Sequence, residues 1–166
     1  MIRNATVSDA TAIRELINAY AELDRMLFRS QAEIYQAIRD FQVYESDGRV
    51  VGCCALQVYW SDLGEIKSLA IEKGYQGRGI GSGLVRAALA EARRLGLPRV
   101  FALTLEREFF ERLGFRATPM ESLPLKVWSD CIRCPKQDRC DEVALVHDLG
   151  ERPGLPAEGL HNMDEA

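Results

Sequence analysis

The sequence predicts an α/β (α+β) protein in which a mixed central sheet of about six to seven strands is flanked by helices. Two observations lead to this prediction. Short apolar or alternating segments, typical of strands, recur along the chain, and several are separated by segments with apolar residues at helical spacing. The 166 residues, 47% of them hydrophobic and 28% charged, suffice for one domain with a sizeable core but are too few for two comfortable ones.

The chain begins with a predicted strand and two helices. Residues 1–7 have the pattern of a short strand, and Ser8 or Asp9 is expected to cap the first helix. One face of that helix carries Ile13, Leu16, Ile17 and Tyr20. A second helix is predicted over roughly residues 30–39, with Ile34, Ala37 and Ile38 on its buried side.

A hairpin is predicted next, formed by the strands FQVYE and RVVGCCALQVYW. The dipeptide Asp47-Gly48 lies between them, and Asp-Gly favours the tight turns that join antiparallel strands. Cys53 and Cys54 fall in the second strand, where we expect them to be small buried apolar residues.

The second half of the chain continues the alternation of strands and helices. GEIKSLAI, from Gly64, is a predicted strand, and the helix beyond the glycine-rich loop ends at Gly96-Leu97-Pro98. RVFALT is a strand, REFFERLG is a short helix closed by Gly114, and FRAT and DEVALVHDL are a final strand pair. We therefore expect a domain over residues 1–148 and a flexible C-terminal tail over 149–166, which is rich in Pro and Gly.

Charge and composition exclude several classes of protein. A net charge of -4 argues against nucleic-acid binding, which needs a concentrated basic surface. No apolar run is long enough for a membrane span, and MIRNATVSDA lacks the apolar core of a signal peptide. These features predict a cytoplasmic protein, and they do not distinguish a monomer from a homodimer.

The loop YQGRGIGSG, residues 75–83, lies between the strand GEIKSLAI and a helix. This layout is typical of an anion site, because backbone N–H groups and the helix dipole favour negative charge at a helix start. The loop does not match the P-loop pattern, because it does not end in Gly-Lys-Ser/Thr. It does not match the dinucleotide-binding pattern either, because the third glycine of that pattern is missing. After these two patterns are excluded, the remaining motif in the loop is Gln76-x-x-Gly79-x-Gly81.

With this motif the sequence resembles the GNAT superfamily of acyl-CoA N-acyltransferases, whose signature is Gln/Arg-x-x-Gly-x-Gly/Ala between a strand and a long helix. The later segments RVFALT and FFERLGF follow in the superfamily's order. The resemblance implies a GNAT fold and acetyl-CoA as acetyl donor. It implies that the CoA pyrophosphate contacts the backbone of Gln76, Gly77, Arg78, Gly79, Ile80, Gly81 and Ser82. It further implies that pantetheine pairs with the strand residues Leu69, Ala70 and Ile71.

Acetyl transfer to an amine needs a base that removes a proton from the amine. The chain has two histidines, one of them in the predicted tail, so a carboxylate is the better candidate. Glu65 begins the strand expected to contact the cofactor, on the same face as Lys67, Leu69 and Ile71 if the side chains alternate. A salt bridge to Lys67 is the alternative role. Many GNAT enzymes have a tyrosine acid where this chain has Phe110, so Tyr59 or Tyr75 would have to lie close by to replace it.

A narrower resemblance, to the short-form N-acetylglutamate synthases, is carried by MLFRS, GEIKSLAI, VFALT with EFFERLGF, and SLPLKVWSDCIRCPKQDRCDEVAL. It implies that L-glutamate is the acceptor in the first step of arginine biosynthesis. It also implies that Glu65 is the catalytic base and that Arg29 and Lys126 bind substrate carboxylates. Binding two carboxylates requires cations away from the CoA loop. The cations considered for this role are Arg29, Lys126, Arg133 and Lys136.

Two questions stay open on the sequence alone. Cys131, Cys134 and Cys140 have a spacing that could bind a structural zinc ion, but no fourth ligand is obvious and free or redox-labile thiols are favoured; no catalytic metal is expected. The rivals to glutamate acetylation are a GNAT enzyme for another amino acid, a polyamine or a peptide N-terminus, and a non-catalytic CoA-binding module. A cationic acceptor would call for an acidic pocket in place of the cations.

Overall fold

The computed structural model describes residues 1–23, 25–123 and 143–150, and it confirms the predicted fold class. The strands are β1 Ile2–Asn4, β2 Phe41–Ser46, β3 Arg49–Trp60, β4 Leu63–Ile71, β5 Arg99–Thr104, β6 Arg116–Thr118 and β7 Val143–Asp148. The α-helices are α1 Ala10–Glu22, α2 Gln31–Gln36, α3 Ile80–Arg94 and α4 Arg107–Arg112.

The seven strands form one mixed sheet with the order β1-β2-β3-β4-β5-β7-β6. The pair β4 and β5 is parallel, whereas β1 with β2, β2 with β3, β5 with β7 and β6 with β7 are antiparallel. A parallel pair requires a crossover connection, and α3 lies in the segment between β4 and β5.

The contacts divide the chain into two compact units, which are described separately here. The first unit contains Met1–Gln57 and Ile66–Glu91, and the second contains Val58–Glu65 and the chain from Ala92 onward. Both β3 and β4 run from one unit into the other.

The core of the first unit lies between α1, α2 and one face of β2, β3 and β4. Its fully buried side chains are Ala10, Ile13, Ile17, Ile34, Phe41, Val43, Cys53, Ala55 and Ala70. The predicted apolar face of α1 and the burial of Cys53 and Cys54 are thereby confirmed. Burial raises the pKa of the Cys53 thiol to about 12, so this cysteine stays protonated near neutral pH.

The start of α1 differs from the sequence prediction. Neither Ser8 nor Asp9 caps α1 with its side chain, because a 3-10 turn over Val7–Asp9 precedes the helix. The Asp9 carboxylate instead accepts hydrogen bonds from the Thr6 backbone N–H at 2.7 Å and from Arg3. These bonds, chiefly the one from Arg3, hold the pKa of Asp9 below its usual range.

The second predicted helix is shorter than expected. Ser30 caps α2 by accepting from the Glu33 backbone N–H at 3.1 Å, as a capping box requires. The helix ends at Gln36, and a separate 3-10 turn over Ile38–Asp40 continues to β2. This turn places Asp40 directly before the start of β2, and its carboxylate is considered with the site described below.

The hairpin between β2 and β3 is confirmed in detail. Ser46 pairs with Arg49, and the two residues between them have left-handed backbone angles, with φ of 51° at Asp47 and 75° at Gly48. Left-handed angles at both positions are those of the tight turn that Asp-Gly favours.

The core of the second unit is formed by the start of β4 with β5 and β7. Leu63, Phe101, Leu123, Ala144 and Val146 are buried together there. Phe110 of α4 is 4% exposed and lies edge-on to Phe115, with ring centroids 5.1 Å apart.

Several predictions fall outside the part of the chain that the structure describes. They concern Lys126, Arg133, Lys136, the cysteines at 131, 134 and 140, and the tail beyond residue 150. Of the helices that are described, none combines the length and the apolar character needed to cross a bilayer.

Candidate active site

The glycine-rich loop connects β4 to α3 in the first unit. After a 3-10 turn over Lys73–Tyr75, Gly77 and Gly79 have φ of 77° and 81°, angles that residues with a Cβ rarely adopt. The backbone oxygen of Gly79 accepts from the N–H of Gly83 at 3.0 Å, which is a first intrahelical bond of α3. The N–H groups before Gly83 therefore lie at the helix start, where such groups have no partner within the helix.

The surroundings of this loop suit an anion. Residues 76–79 are exposed, while Ile80 is buried and fixes the first turn of α3 against the unit. The Arg78 guanidinium lies over the Tyr75 ring, 5.1 Å from its centroid. A cation and a helix N-terminus on one exposed loop are the features that bind phosphate groups.

The hydroxyl of Tyr20 links α1 to both the end of β4 and the loop. It donates to the backbone oxygen of Ile71 at 3.1 Å and accepts from the Ile71 N–H at 3.1 Å. It also accepts from the side-chain amide of Gln76 at 2.9 Å. One donated and two accepted bonds complete the capacity of a hydroxyl. Pairing of pantetheine with Ile71, which the GNAT resemblance implies, would have to replace two of these bonds.

We expect Tyr20→Phe to lower the free energy of unfolding by about 1–2 kcal/mol, because the ring keeps its packing while three hydrogen bonds are lost. For a protein of this size the loss corresponds to a fall in melting temperature of about 2–8 °C, measurable by calorimetry. Tyr35→Phe is a matched control, since Tyr35 is an exposed tyrosine of the same unit. Equal melting temperatures for wild type and Tyr20→Phe would contradict the linking role.

Ser68 has a left-handed φ of 55° in the middle of β4. Such an angle is uncommon for a residue other than glycine and interrupts the alternation of side chains, as a β-bulge does. Lys67 contacts Gln57 of β3, on the face that buries Ala55. Ile71 lies on the opposite face, since a Cβ added to Gly52 would be 3.0 Å from its Cδ1 atom. The expectation that Lys67 and Ile71 share one face was therefore wrong.

Arg29 reaches this same part of β4 from the segment before α2. Its Nη1 atom donates to the Ser68 hydroxyl at 3.2 Å, and its guanidinium lies over the Phe41 ring, 5.6 Å from the centroid. The backbone N–H of Arg29 donates to the Asn18 side chain at 3.2 Å. These contacts hold a half-buried guanidinium in a defined position.

Asp40 adds one carboxylate to this cationic region. Burial raises the pKa of Asp40, and the positive charges of Arg29 and Lys67 oppose that shift. Both cations are therefore close enough to act on the same carboxylate.

Glu65 belongs to the second unit and is 5% exposed. Its Oε2 atom accepts a hydrogen bond from the Tyr59 hydroxyl at 3.2 Å. The Tyr59 ring packs against Phe101, with centroids 5.8 Å apart, which fixes the hydroxyl beside the carboxylate. Of the two tyrosines considered as substitutes for the missing acid, Tyr59 is thus the one that lies next to Glu65.

Sequence reasoning singled out Glu65, Arg29 and the loop as candidates, and it did not consider three further residues with notable contacts for such a role. Tyr20 was assigned only to a buried helix face, and Asp40 was not singled out. Lys67 was considered only as a salt-bridge partner. None carries a motif, and each matters because of residues more than ten positions away in the chain.

Known proteins resemble this chain over most of its length. Residues 10–115 match the acetyltransferase (GNAT) family. An uncharacterized N-acetyltransferase of Chlorobaculum tepidum is 43% identical over 148 residues, covering 89% of this chain and 96% of that protein. An amino-acid acetyltransferase of Mycobacterium tuberculosis is 44% identical over 153 residues, covering 90% of this chain and 80% of that protein.

A solved structure extends the comparison to a liganded protein. The N-acetylglutamate synthase from Neisseria gonorrhoeae, complexed with coenzyme A and N-acetyl-glutamate, has a TM-score of 0.82 and 31% sequence identity. The match covers 91% of this chain and 35% of that one. This chain is therefore similar to about one third of that longer protein.

Proposed function

This chain belongs to the acetyltransferase (GNAT) family, and we propose that it transfers the acetyl group of acetyl-CoA to the α-amine of L-glutamate. It is an N-acetyltransferase with acetyl-CoA as donor. The proposed product is N-acetylglutamate, so that the reaction is the first step of arginine biosynthesis. The names of the M. tuberculosis and N. gonorrhoeae relatives support an amino-acid acceptor.

The loop between β4 and α3 is the proposed site of the CoA pyrophosphate. The left-handed angles of Gly77 and Gly79 support this assignment, because they turn the backbone at the start of α3 without placing a side chain on the loop. Arg78 and the N–H groups of residues 80–82 would supply positive charge. Leu69, Ala70 and Ile71 remain the proposed partners of pantetheine.

The observation that best supports a carboxylate-bearing acceptor is the position of Arg29. Its guanidinium is half-buried, stacked on Phe41 and bonded to the Ser68 hydroxyl. Such a preorganised guanidinium is suited to binding a carboxylate. Lys126 is the second proposed ligand of the acceptor carboxylates, on the strength of the resemblance alone.

Glu65 is the proposed general base. The α-ammonium of glutamate must lose one proton before its nitrogen can attack the thioester carbonyl carbon, and the Glu65 carboxylate takes that proton directly or through water. As the C–S bond breaks, the thiolate of CoA leaves, and the second proton of the amine ends on that sulfur. The hydrogen bond from the Tyr59 hydroxyl orients the carboxylate.

Steady-state release of the CoA thiol with a panel of acceptors tests the proposed function. The panel contains L-glutamate, other amino acids, spermidine and a peptide with a free N-terminus. We expect glutamate to have a kcat/KM at least about tenfold above that of spermidine, because spermidine has no carboxylate for Arg29 to bind. Faster acetylation of spermidine or the peptide would show that the acceptor is wrong, and acetyl-CoA binding without turnover of any acceptor would favour a non-catalytic module.

A further inference from the structure

Ile71, the last residue of β4, has its backbone groups on the edge of the strand that faces away from β3. The next residue, Glu72, donates its backbone N–H to the Val51 oxygen of β3 at 2.8 Å. The backbone groups of consecutive residues in an extended chain point to opposite edges, so those of Ile71 point to the other edge. In the described strands, the pairing of β4 with β5 ends at Glu65. The backbone of Ile71 is therefore not used by a neighbouring strand on this edge.

Two side chains take the place of a neighbouring strand there. The Tyr20 hydroxyl donates to the Ile71 backbone oxygen at 3.1 Å and accepts from the Ile71 N–H at 3.1 Å. The side-chain amide of Gln76 donates to the same backbone oxygen at 3.2 Å and to the Tyr20 hydroxyl at 2.9 Å. Both backbone groups of Ile71 are thus bonded to side-chain atoms, which can leave by rotation about single bonds.

The pantetheine arm of acetyl-CoA would need the same two backbone groups. A segment that pairs like an added strand donates an amide N–H to a backbone oxygen and accepts from a backbone N–H, and pantetheine contains two amides. The Ile71 N–H has one hydrogen, which the Tyr20 hydroxyl accepts. The Ile71 oxygen has two lone pairs, which match the donors from Tyr20 and Gln76. The arm and the Tyr20 hydroxyl therefore exclude each other at Ile71.

We propose that Tyr20 competes with the pantetheine arm of acetyl-CoA for the backbone of Ile71, and that its hydroxyl leaves this position when the arm pairs with β4. The inference rests on the proposed function, which places pantetheine along residues 69–71, and adds a competing side chain to it. The free energy gained by pairing is reduced by that of the bonds displaced. Tyr20 thus weakens the binding of acetyl-CoA.

The alternative is that Tyr20 only holds the end of β4 and the glycine loop in the shape that the cofactor requires. Loss of the hydroxyl would then loosen the loop and weaken the binding of every ligand that contacts it. Loss of a competitor instead strengthens binding, and only for a ligand that carries the pantetheine arm. The sign of the change, and its dependence on the arm, separate the two roles.

Calorimetric titration of wild type, Tyr20→Phe and the control Tyr35→Phe measures both properties. The ligands are acetyl-CoA and 3′-phospho-ADP, the part of CoA that keeps the pyrophosphate and lacks the pantetheine arm. For Tyr20→Phe we expect the Kd of acetyl-CoA to fall by about 3- to 20-fold, because no hydroxyl has to be displaced. The Kd of 3′-phospho-ADP should change by less than about twofold. Tyr35→Phe changes an exposed tyrosine and should match the wild type with both ligands.

Melting temperatures with and without saturating acetyl-CoA give a second measurement. Tyr20→Phe should melt below the wild type without ligand, and acetyl-CoA should narrow the difference, because the bound wild type has given up the same bonds. An unchanged or weaker affinity for acetyl-CoA, an equal change with both ligands, or a melting difference that persists in full would overturn the inference. Failure of the proposed acceptor is seen separately, in the release of the CoA thiol, because these titrations contain no acceptor.

Discussion

Glu65→Gln is expected to lower kcat by about 10²- to 10⁴-fold at neutral pH while leaving the KM for acetyl-CoA nearly unchanged. The substitution preserves the shape of the side chain and an oxygen that can accept from the Tyr59 hydroxyl, which lies 3.2 Å from Oε2 in the wild-type protein. It removes the group that accepts a proton from the amine. The loop that is proposed to bind CoA is not altered.

The residual activity of Glu65→Gln should depend on pH in a characteristic way. Without the base, the enzyme must use acceptor that is already deprotonated in solution, so its rate should rise steadily toward alkaline pH. Glu108→Gln, at an exposed position in α4, controls for a Glu-to-Gln change as such. Nearly full activity of Glu65→Gln across the pH range would exclude Glu65 as the base, provided that its melting temperature matches the wild type.

Gly79→Asp is expected to abolish most of the affinity for acetyl-CoA. The backbone of Gly79 has a φ of 81°, so any side chain at this position is strained, although nothing lies within 4 Å of an added Cβ. The added carboxylate would stand at the start of α3, where the pyrophosphate is proposed to bind. Repulsion between like charges and the changed loop backbone both oppose binding. Calorimetric titration with acetyl-CoA measures the effect.

Gly48→Asp is the matched control for Gly79→Asp. Gly48 has a similar φ of 75° and equally open surroundings, but it lies in the turn between β2 and β3. The two variants share the added charge and the backbone strain, and they differ in whether the cofactor loop is changed. If a folded Gly79→Asp protein bound acetyl-CoA with wild-type affinity, the loop could not be the binding site of the CoA pyrophosphate.

Local rules determined several elements because the information for them lies within a few residues. Asp47-Gly48 produced the predicted hairpin, since those residue types favour the left-handed angles of its turn. The helix beyond the glycine loop was expected from the spacing of its apolar residues, and it forms α3. The ends of helices and strands were less predictable. A helix to residue 39 was expected, but α2 ends at Gln36.

The glycine motif and Glu65 were accessible from the sequence for a different reason. Gln76-x-x-Gly79-x-Gly81 is a short motif whose meaning depends on the strand before it and the helix after it, and both could be read from local periodicity. The left-handed angles of Gly77 and Gly79 agree with the need for glycine there.

Only the tertiary structure decided how the polar groups come together. Ser68 has no feature in the sequence that signals a left-handed angle, yet that angle places Lys67 opposite Ile71 and on the face of Arg29. The bonds from Tyr20 to Ile71 and Gln76 join residues 51 and 56 positions apart. By itself the sequence determined the fold class and the loop, because turn chemistry and periodicity are local. The partners of the charged and hydroxyl groups depend on packing between distant segments, which local rules do not contain.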